Sequence, residues 1–261
     1  MTIQLNKAHG LYSFPTRILR SAKHIISQPL SMIINKSIEY GTYPSKLKLA
    51  KVIPIYKSGD ESDPSNYRPI SLLSIFNRIF EKMMYNRLKS FIEKCNILLY
   101  SQYGFREKRS TEHAILDIIN EIETNMDKKL YSCGVFIDLQ EAFDTVNHSI
   151  LLRKLNHYGV RGIINDWFAS YLVGRQQTTQ IGPKNISKKE VVLSGAPQGS
   201  VQGPLLFLIY INDISNSSDK LKFYLFADDT NLLYADKNLK SLESTVNAEI
   251  FRFYNWHHYQ P

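Results

Sequence analysis

The chain has few of the features that mark secreted, membrane-spanning or zinc-binding proteins. Only two of its 261 residues are cysteines, and Cys95 and Cys133 follow no metal or redox spacing, which predicts free thiols in a reducing compartment. No uninterrupted apolar run is long enough for a membrane helix, and residues 1–10 lack the charged-then-apolar layout of a signal peptide. The spacings of the histidines match no zinc pattern.

The composition is that of a globular protein with a basic first part and a mildly acidic second part. Hydrophobic residues make up 43% of the chain, and the net charge is +8. Residues 1–110 contain 18 Lys and Arg against 7 Asp and Glu, a balance of +11, whereas residues 111–261 contain 14 against 17, a balance of −3. This asymmetry predicts one surface for a polyanion and one pocket for cations, with an ordinary solvated surface as the alternative.

Apolar periodicity predicts strands that alternate with helices, which indicates an α/β or α+β fold. The predicted helices cover residues 16–40 (with a break near Pro29), 71–94, 111–126 (with Thr111 as its cap), 145–158, 163–172, 199–214 and 239–256. The predicted strands cover residues 51–56 (an edge strand because of Pro54), 131–139, 177–181, 190–193, 221–227 and 230–235.

The most informative feature is a pair of adjacent carboxylates, Asp228 and Asp229, between the last two predicted strands. Side-by-side carboxylates repel each other, so this turn makes sense where a divalent cation supplies positive charge. Asp138 ends another predicted strand, and a sheet can bring it beside that turn. Three carboxylates in one pocket suit Mg²⁺ and metal-assisted chemistry on phosphates. A surface turn with unpaired acids is the alternative.

Five stretches of the chain, in this order, resemble the reverse transcriptase domain of a non-LTR retrotransposon of the jockey-like or LINE-like kind. They are NYRPISLLSIFNRIFEKMMYNRL (66–88), QYGFREKRSTEHAI (102–115), VFIDLQEAFDTVNH (135–148) with SGAPQGSVQGPLLFLIYINDI (194–214), and FADDT (226–230). The resemblance covers roughly residues 40–256.

The resemblance implies an α+β fold, the fingers and palm of a right-hand polymerase, with an antiparallel palm sheet, flanking helices and no thumb. It implies an N-terminal helical extension over residues 1–40, a basic fingers-like subdomain over 41–130 and a palm over 131–261. The reverse transcriptase domain itself spans about residues 50–256.

The implied chemistry is RNA-directed DNA synthesis, in which a primer 3′-hydroxyl attacks the α-phosphate of a deoxynucleotide. The catalytic residues would be Asp138, Asp228 and Asp229. These three, with the backbone carbonyl of Leu139, would hold two Mg²⁺ ions, for which Mn²⁺ is a possible substitute. The implied partners are an RNA template, a DNA primer and dNTP, with no membrane. The expected location is intracellular, in the nucleus and in a cytoplasmic ribonucleoprotein.

Two further groups of residues are implied by the same resemblance. The nucleotide-binding group is Lys57, Arg68, Ala142, Phe143, Gln198 and Gly199. Phe143 would be an aromatic gate against a ribose 2′-hydroxyl, and the alternative is that it is a core aromatic residue. For residues 198–199 the alternative is a plain strand-to-helix turn. For Lys57 the alternative is a solvated lysine with no ligand. The template-binding group is Gly104, Phe105, Arg106, Lys108 and Arg109.

The chain departs from the family pattern at three places. Glu141 stands where relatives often carry Lys, and Gln202 replaces an apolar residue, which weakens packing there. The sequence also ends at YNWHHYQP, which predicts that the thumb and the preceding endonuclease of a parent polyprotein are absent. The alternative function is therefore a truncated relic that binds nucleic acid without making DNA. A metal-dependent nuclease is disfavoured by Phe143 and residues 196–199.

Overall fold

A computed structural model describes residues 16–139, 142–182 and 184–258. The contacts between residues divide the chain into two units. The first unit contains the described residues up to Phe91 together with Phe143–Gly203, and the second contains Ile92–Ala142 together with the described residues from Pro204 onwards. None of the helices in these ranges has the length and apolarity needed to span a membrane. The division into residues 1–40, 41–130 and 131–261 stays a prediction.

Helices and strands alternate along most of the chain. The helices are α1 (Thr16–Ser21), α2 (Lys23–Glu39), α3 (Ile75–Lys94), α4 (Thr111–Asp127), α5 (His148–His157), α6 (Ile163–Leu172), α7 (Gly203–Tyr210) and α8 (Leu239–His258). The strands are β1 (Leu49–Tyr56), β2 (Tyr67–Leu72), β3 (Tyr131–Asp138), β4 (Arg175–Ile181), β5 (Asn185–Ile186), β6 (Glu190–Val192), β7 (Lys222–Phe226) and β8 (Asp229–Asp236). Mostly antiparallel sheets with flanking helices confirm the α+β fold class.

The sheet of the first unit has the order β2-β1-β4-β5, and β6 also pairs with β4. The prediction of an edge strand at β1 was wrong for its first half, because residues 49–52 pair with β2 on one side and with β4 on the other. Pro54 lies beyond the parallel pairing with β4 and has a single strand neighbour, where it faces Pro69 of β2. A missing N–H is tolerated there because no second strand requires it.

Buried aromatic rings form the centre of the first unit. Tyr43 packs edge-on against Trp167 and Tyr171 of α6, with ring centroids 5.2 Å and 5.1 Å away. The predicted helix break near Pro29 was wrong, since α2 continues through that residue and the interruption falls at Ala22 instead. Ile25, whose carbonyl loses its helical donor at Pro29, is 80% exposed, so solvent can satisfy the carbonyl.

The sheet of the second unit is antiparallel with the order β3-β8-β7, and both of its faces are packed by helices. On one face Phe223 and Leu232 join a buried cluster with Phe253 of α8. On the other face Leu233 packs in a second cluster with Ala114 of α4. Alternating apolar residues on both faces explain why these strands are central to their unit.

Four predictions about helix starts differ from the structure. The helix predicted over residues 71–94 begins at Ile75, because residues 71–72 belong to β2, a strand that was not predicted, and the helix predicted over 199–214 is shorter and covers Gly203–Tyr210.

The cap of α4 is Ser110 rather than Thr111, because the Ser110 hydroxyl accepts the N–H of His113 over 3.4 Å. Helix α5 begins at His148 and not at residue 145, because the Asn147 side chain accepts the first free N–H groups of this helix.

Candidate active site

Three aspartates stand at one end of the second unit's sheet. Asp138 ends β3 and pairs directly with Asp229, the first residue of β8. Asp229 also pairs with Phe226, the last residue of β7, and Asp228 immediately precedes it. Directly opposed residues project their side chains to the same face, with Cβ atoms about 4.5–5.5 Å apart. The strand register therefore brings Asp138 and Asp229 together, whereas their catalytic and metal-binding roles stay predictions.

The three carboxylates repel one another. The pKa of Asp229 lies above its ordinary value, because partial burial disfavours the charged form and because Asp228 and Asp138 are negative neighbours. Within the described ranges, none of the three makes an ion pair with a Lys, Arg or His. An all-oxygen donor set with uncompensated charge fits a hard divalent cation such as Mg²⁺.

The present side-chain arrangement is not that of a closed metal site. In the part of the chain that the structure describes, no three His, Cys, Asp or Glu side chains are grouped so that they could hold a metal ion. The strand register sets the backbone positions of Asp138 and Asp229, and the carboxylates can turn about their side-chain bonds. Side-chain rotation can therefore change the distances between the carboxylate oxygens while the strand pairing stays the same.

The adjacent aspartates belong to a tight two-residue loop. Strand β7 ends at Phe226 and β8 begins at Asp229, so Ala227 and Asp228 alone connect them. Ala227 has a φ of +57°, a left-handed conformation that costs a non-glycine residue roughly 1–2 kcal/mol. Two-residue hairpin loops require positive φ because only then does the loop match the twist of the strands.

Gly104 packs against this loop. A Cβ atom at Gly104 would overlap the nitrogen of Ala227 and lie 2.9 Å from its Cα, so only glycine permits this approach. The preceding residues run along β7, where the N–H of Tyr103 donates to the carbonyl of Leu225 over 2.7 Å. Gly104 was predicted to lie along the template, and the structure shows in addition a packing contact with the acidic loop.

Two other predicted residues flank a short segment that follows β3. Leu139 comes directly after Asp138 and is half-buried, and Ala142 is buried. Glu141, the negative residue that departs from the family pattern, lies outside the described residues. The roles of Leu139 in metal binding and of Ala142 in nucleotide binding stay predictions.

In the first unit, Phe143 and Gln198 are close together. The N–H of Ala196 donates to the carbonyl of Phe143 over 2.8 Å. The side-chain amide of Gln198 donates to the carboxylate of Asp144 over 2.9 Å. Asp144 directly follows Phe143 but was not among the predicted site residues. Its carboxylate orients the Gln198 side chain through this hydrogen bond.

Strand β2 packs against the same loop. The N–H of Ser71 donates to the carbonyl of Gln198 over 2.9 Å, and a Cβ atom at Gly199 would lie 3.0 Å from the Ser71 carbonyl oxygen. Gly199 has a φ of +93°, which favours glycine. Arg68 lies on β2, Lys57 directly follows β1, and both are exposed. The contacts of Ser71 thus join β2 to the loop of Gln198 and Gly199, and the roles of Arg68 and Lys57 stay predictions.

The predicted template segment exposes aromatic and cationic side chains. Phe105 is 54% exposed with a φ of +53°, and Lys108 is exposed with a φ of +61°. The guanidinium of Arg109 lies over the ring of Tyr100, 4.2 Å from its centroid. Two left-handed residues within four positions give a sharply wound segment, a kind of strain that is common at ligand-binding sites.

Arg106, another predicted template residue, is engaged within the protein. Its guanidinium donates to the carbonyl of Leu99 over 2.7 Å and is partly buried. Burial lowers the pKa of this arginine, and the neighbouring Arg109 lowers it further. These contacts indicate that Arg106 shapes the segment.

A buried carboxylate in α3 was missed by the sequence analysis. Glu81 is fully buried, and its side chain accepts the N–H of Val201 over 2.8 Å and the hydroxyl of Tyr171 over 2.7 Å. Burial raises its pKa, while those hydrogen bonds and the buried Arg175 oppose the rise. Gln202 donates to the Glu81 carbonyl over 3.2 Å, but its own side-chain oxygen is buried with no partner in the described chain.

Most of the chain is similar to known reverse transcriptases. Residues 55–258 match the family described as reverse transcriptase (RNA-dependent DNA polymerase). The "Probable RNA-directed DNA polymerase from transposon BS" of Drosophila melanogaster is 32% identical over 248 residues, covering 90% of this chain and 26% of that protein. The "RNA-directed DNA polymerase from mobile element jockey" of the same organism is 29% identical over 262 residues, covering 97% and 28%.

The chain thus spans about a quarter of the length of these curated relatives. Among solved structures, an apo telomerase from Candida tropicalis, truncated from its C-terminal domain, superimposes with a TM-score of 0.54. The two share 14% sequence identity over 78% of this chain and 46% of that one. At such low identity the likeness shows a shared fold.

Proposed function

This chain belongs to the reverse transcriptase family, among the jockey-like members of non-LTR retrotransposons, and we propose that it carries the nucleotidyl-transfer centre of an RNA-directed DNA polymerase. The observation that carries this proposal is the register of β3 and β8, which sets Asp138 opposite Asp229 with Asp228 adjacent. Uncompensated carboxylates on one face of a sheet are what metal-assisted phosphoryl transfer requires.

The carboxylates of Asp138, Asp228 and Asp229 would hold two Mg²⁺ ions, together with the carbonyl of Leu139. The bound ions would supply positive charge to the attacking 3′-hydroxyl and to the leaving pyrophosphate. The protein contributes position, because the strand ladder sets the backbone positions of Asp138 and Asp229 and the two-residue loop keeps Asp228 next to them. Burial and the negative neighbours Asp228 and Asp138 raise the pKa of Asp229, so a bound cation would offset unfavourable negative charge there.

The surface around Phe143, Gln198 and Gly199 would receive the incoming deoxynucleotide. Arg68 and Lys57 are exposed cations in the same unit, and we assign them to the triphosphate. The hydrogen bond from Gln198 to Asp144 and the backbone bond to Phe143 preorganise this surface. Phe143 would exclude a ribose 2′-hydroxyl by contact with the sugar.

The partners in this proposal are an RNA template and a DNA primer. Exposed Phe105 provides a ring on which a base can stack, and exposed Lys108 provides a positive charge for a backbone phosphate. Arg109 is held over Tyr100, so this pair presents a cationic and aromatic surface together. Binding through these groups would be largely independent of sequence and sensitive to salt.

A second candidate function is nucleic-acid binding without DNA synthesis. The specific observation in its favour is that no three potential ligands in the described ranges are grouped to hold a metal ion. In that case the basic surface would bind the template, and the three aspartates would have no catalytic role. The two candidates make opposite predictions for nucleotide incorporation and the same prediction for nucleic-acid affinity.

The test is primer extension on an RNA template with deoxynucleotides and Mg²⁺. We expect the parent chain to extend the primer and Asp228→Asn to give none, because the variant removes a metal ligand. Asp219→Asn is the matched control, since it removes the same charge from an exposed position in the same unit. It should extend like the parent.

Template affinity measured in parallel separates the two candidates. Equal affinity of the parent and Asp228→Asn, with extension by the parent alone, supports the polymerase. Equal affinity with extension by neither supports the binding module. Extension by Asp228→Asn at the parent rate would show that the three-aspartate assignment is wrong.

A further inference from the structure

We propose that Gln102 is a positioning residue for the acidic loop: its side chain holds the backbone of Ala227, so that the two adjacent aspartates stand beside Asp138. The inference rests on the function proposed above, because it concerns the placement of the same carboxylates. Gln102, the loop and Asp138 all belong to the second unit.

The side chain of Gln102 is buried, and its amide oxygen accepts two backbone hydrogen bonds. The N–H of Ala227 donates to this oxygen over 3.1 Å, and the N–H of Gly104 donates to it over 2.8 Å. Because both neighbours are donors, only the oxygen of the amide can face them, which fixes the orientation of the side chain. One side-chain atom therefore ties the acidic loop to the segment that runs along β7.

Ala227 needs this hydrogen bond. Its left-handed backbone is unfavourable for alanine, and the residue is only 5% exposed, so water is a poor substitute for a protein acceptor. In the described part of the chain, the N–H of Ala227 donates its hydrogen bond to the side-chain oxygen of Gln102. Loss of the acceptor would release the first residue of the loop and, with it, the directions of Asp228 and Asp229.

The other end of the Gln102 amide points to the same role. Its nitrogen is buried and has no hydrogen-bond partner in the described ranges, which costs stability. Asn212, another buried amide of the same unit, bonds at both ends: its oxygen accepts the N–H of Leu99 and its nitrogen donates to the carbonyl of Ile97, each over 2.8 Å. Gln102 therefore differs from Asn212 in that both of its hydrogen bonds go to its oxygen, from the backbone of Ala227 and Gly104.

The test compares Gln102→Leu with Asn212→Leu. Both variants replace a buried amide in the second unit, but only Gln102 touches the acidic loop. The first readout is the hydrogen-exchange rate of the Ala227 amide measured by NMR. The second is Mn²⁺ affinity measured by electron paramagnetic resonance, with Asp228→Asn defining the signal that does not come from the site. Gln102→Met, unbranched and of similar length, is the second variant where Gln102→Leu does not fold.

We expect faster exchange at Ala227 in Gln102→Leu and a Mn²⁺ affinity about 10- to 100-fold weaker, as is common when a residue that orients a metal ligand is removed. Asn212→Leu should leave both quantities at the parent values. Parent-like exchange or parent-like Mn²⁺ affinity in Gln102→Leu would overturn the inference, as would equal losses in both variants. A parent that binds no more Mn²⁺ than Asp228→Asn would instead refute the metal site of the proposed function, and the inference with it.

Discussion

Replacing Asp229 with Asn should stabilise the metal-free protein. The substitution removes a negative charge that faces Asp138 directly across the ladder and follows Asp228 in the loop. Like charges directly opposed on a sheet cost about 0.2–1 kcal/mol per pair, and solvent exposure keeps the value at the lower end for Asp138 and Asp229. This opposed pair and the neighbouring Asp228 together give roughly 0.5 kcal/mol in the free energy of unfolding, or about 1–2 °C in melting temperature for a chain of this size.

The assay is thermal unfolding in the presence of a chelator, with Asp219→Asn as the control for a simple change in net charge. Mg²⁺ should reverse the order of stability, because it binds the parent better than the variant. At ten times its Kd, an ion bound only by the folded parent adds about 1.4 kcal/mol.

The dependence on pH gives a second check with a defined sign. Since the folded pKa of Asp229 is raised, its charge destabilises the fold above that pKa and has no such effect below the unfolded pKa. The advantage of Asp229→Asn should therefore be full at neutral pH and disappear as the pH falls through this range. A variant that melts below the parent at neutral pH without metal would refute the electrostatic argument.

Three further predictions follow from the first unit and from the basic surface. Phe143→Ala should raise the use of ribonucleotides relative to deoxynucleotides in primer extension, and unchanged selectivity would leave Phe143 with a packing role only. Template binding should weaken steeply as salt rises, and Arg68→Ala should reduce the slope of log affinity against log salt by about 1; a flat response in the parent would contradict phosphate binding. Glu81→Ala should lower the free energy of unfolding by about 3 kcal/mol or more in denaturant titration, because it leaves the Val201 N–H and the buried Tyr171 hydroxyl without their acceptor and opens a cavity, whereas Glu81→Gln, which keeps one acceptor oxygen, should cost less.

Local patterns in the sequence were sufficient to predict the strands that carry the aspartates. Apolar alternation and the adjacent acids predict a strand ending near Asp138 and a hairpin at the acidic pair, and the structure has both, although its loop is Ala227 and Asp228 and Asp229 already belongs to β8. The pairing of Asp138 with Asp229 needed the structure, because strand register depends on contacts between residues far apart in sequence. The predicted break at Pro29 failed because α2 continues through the proline, where solvent can bond the carbonyl of exposed Ile25 that has lost its helical donor.

Buried polar residues could not be predicted from the sequence. Glu81 lies in an amphipathic helix, where a glutamate is normally expected on the solvated face, and Gln102 lies in the connection between α3 and α4, where a polar residue is common. Each acts through backbone N–H groups of distant segments, Val201 for Glu81 and Ala227 for Gln102. Such pairings depend on the folded backbone and leave no local pattern.

The hydrophobic packing behind the three-stranded sheet protects the alignment of the acids. Val135 and Ile137 of β3 pack on the cluster that includes Phe223 and Leu232, while Asp138 projects to the opposite face. A slip of β3 by one residue would turn Asp138 into that apolar cluster and expose Val135 and Ile137 to water. Burying an unpaired carboxylate and exposing two aliphatic side chains are both unfavourable. The register that pairs Asp138 with Asp229 is therefore lower in free energy than a register shifted by one residue.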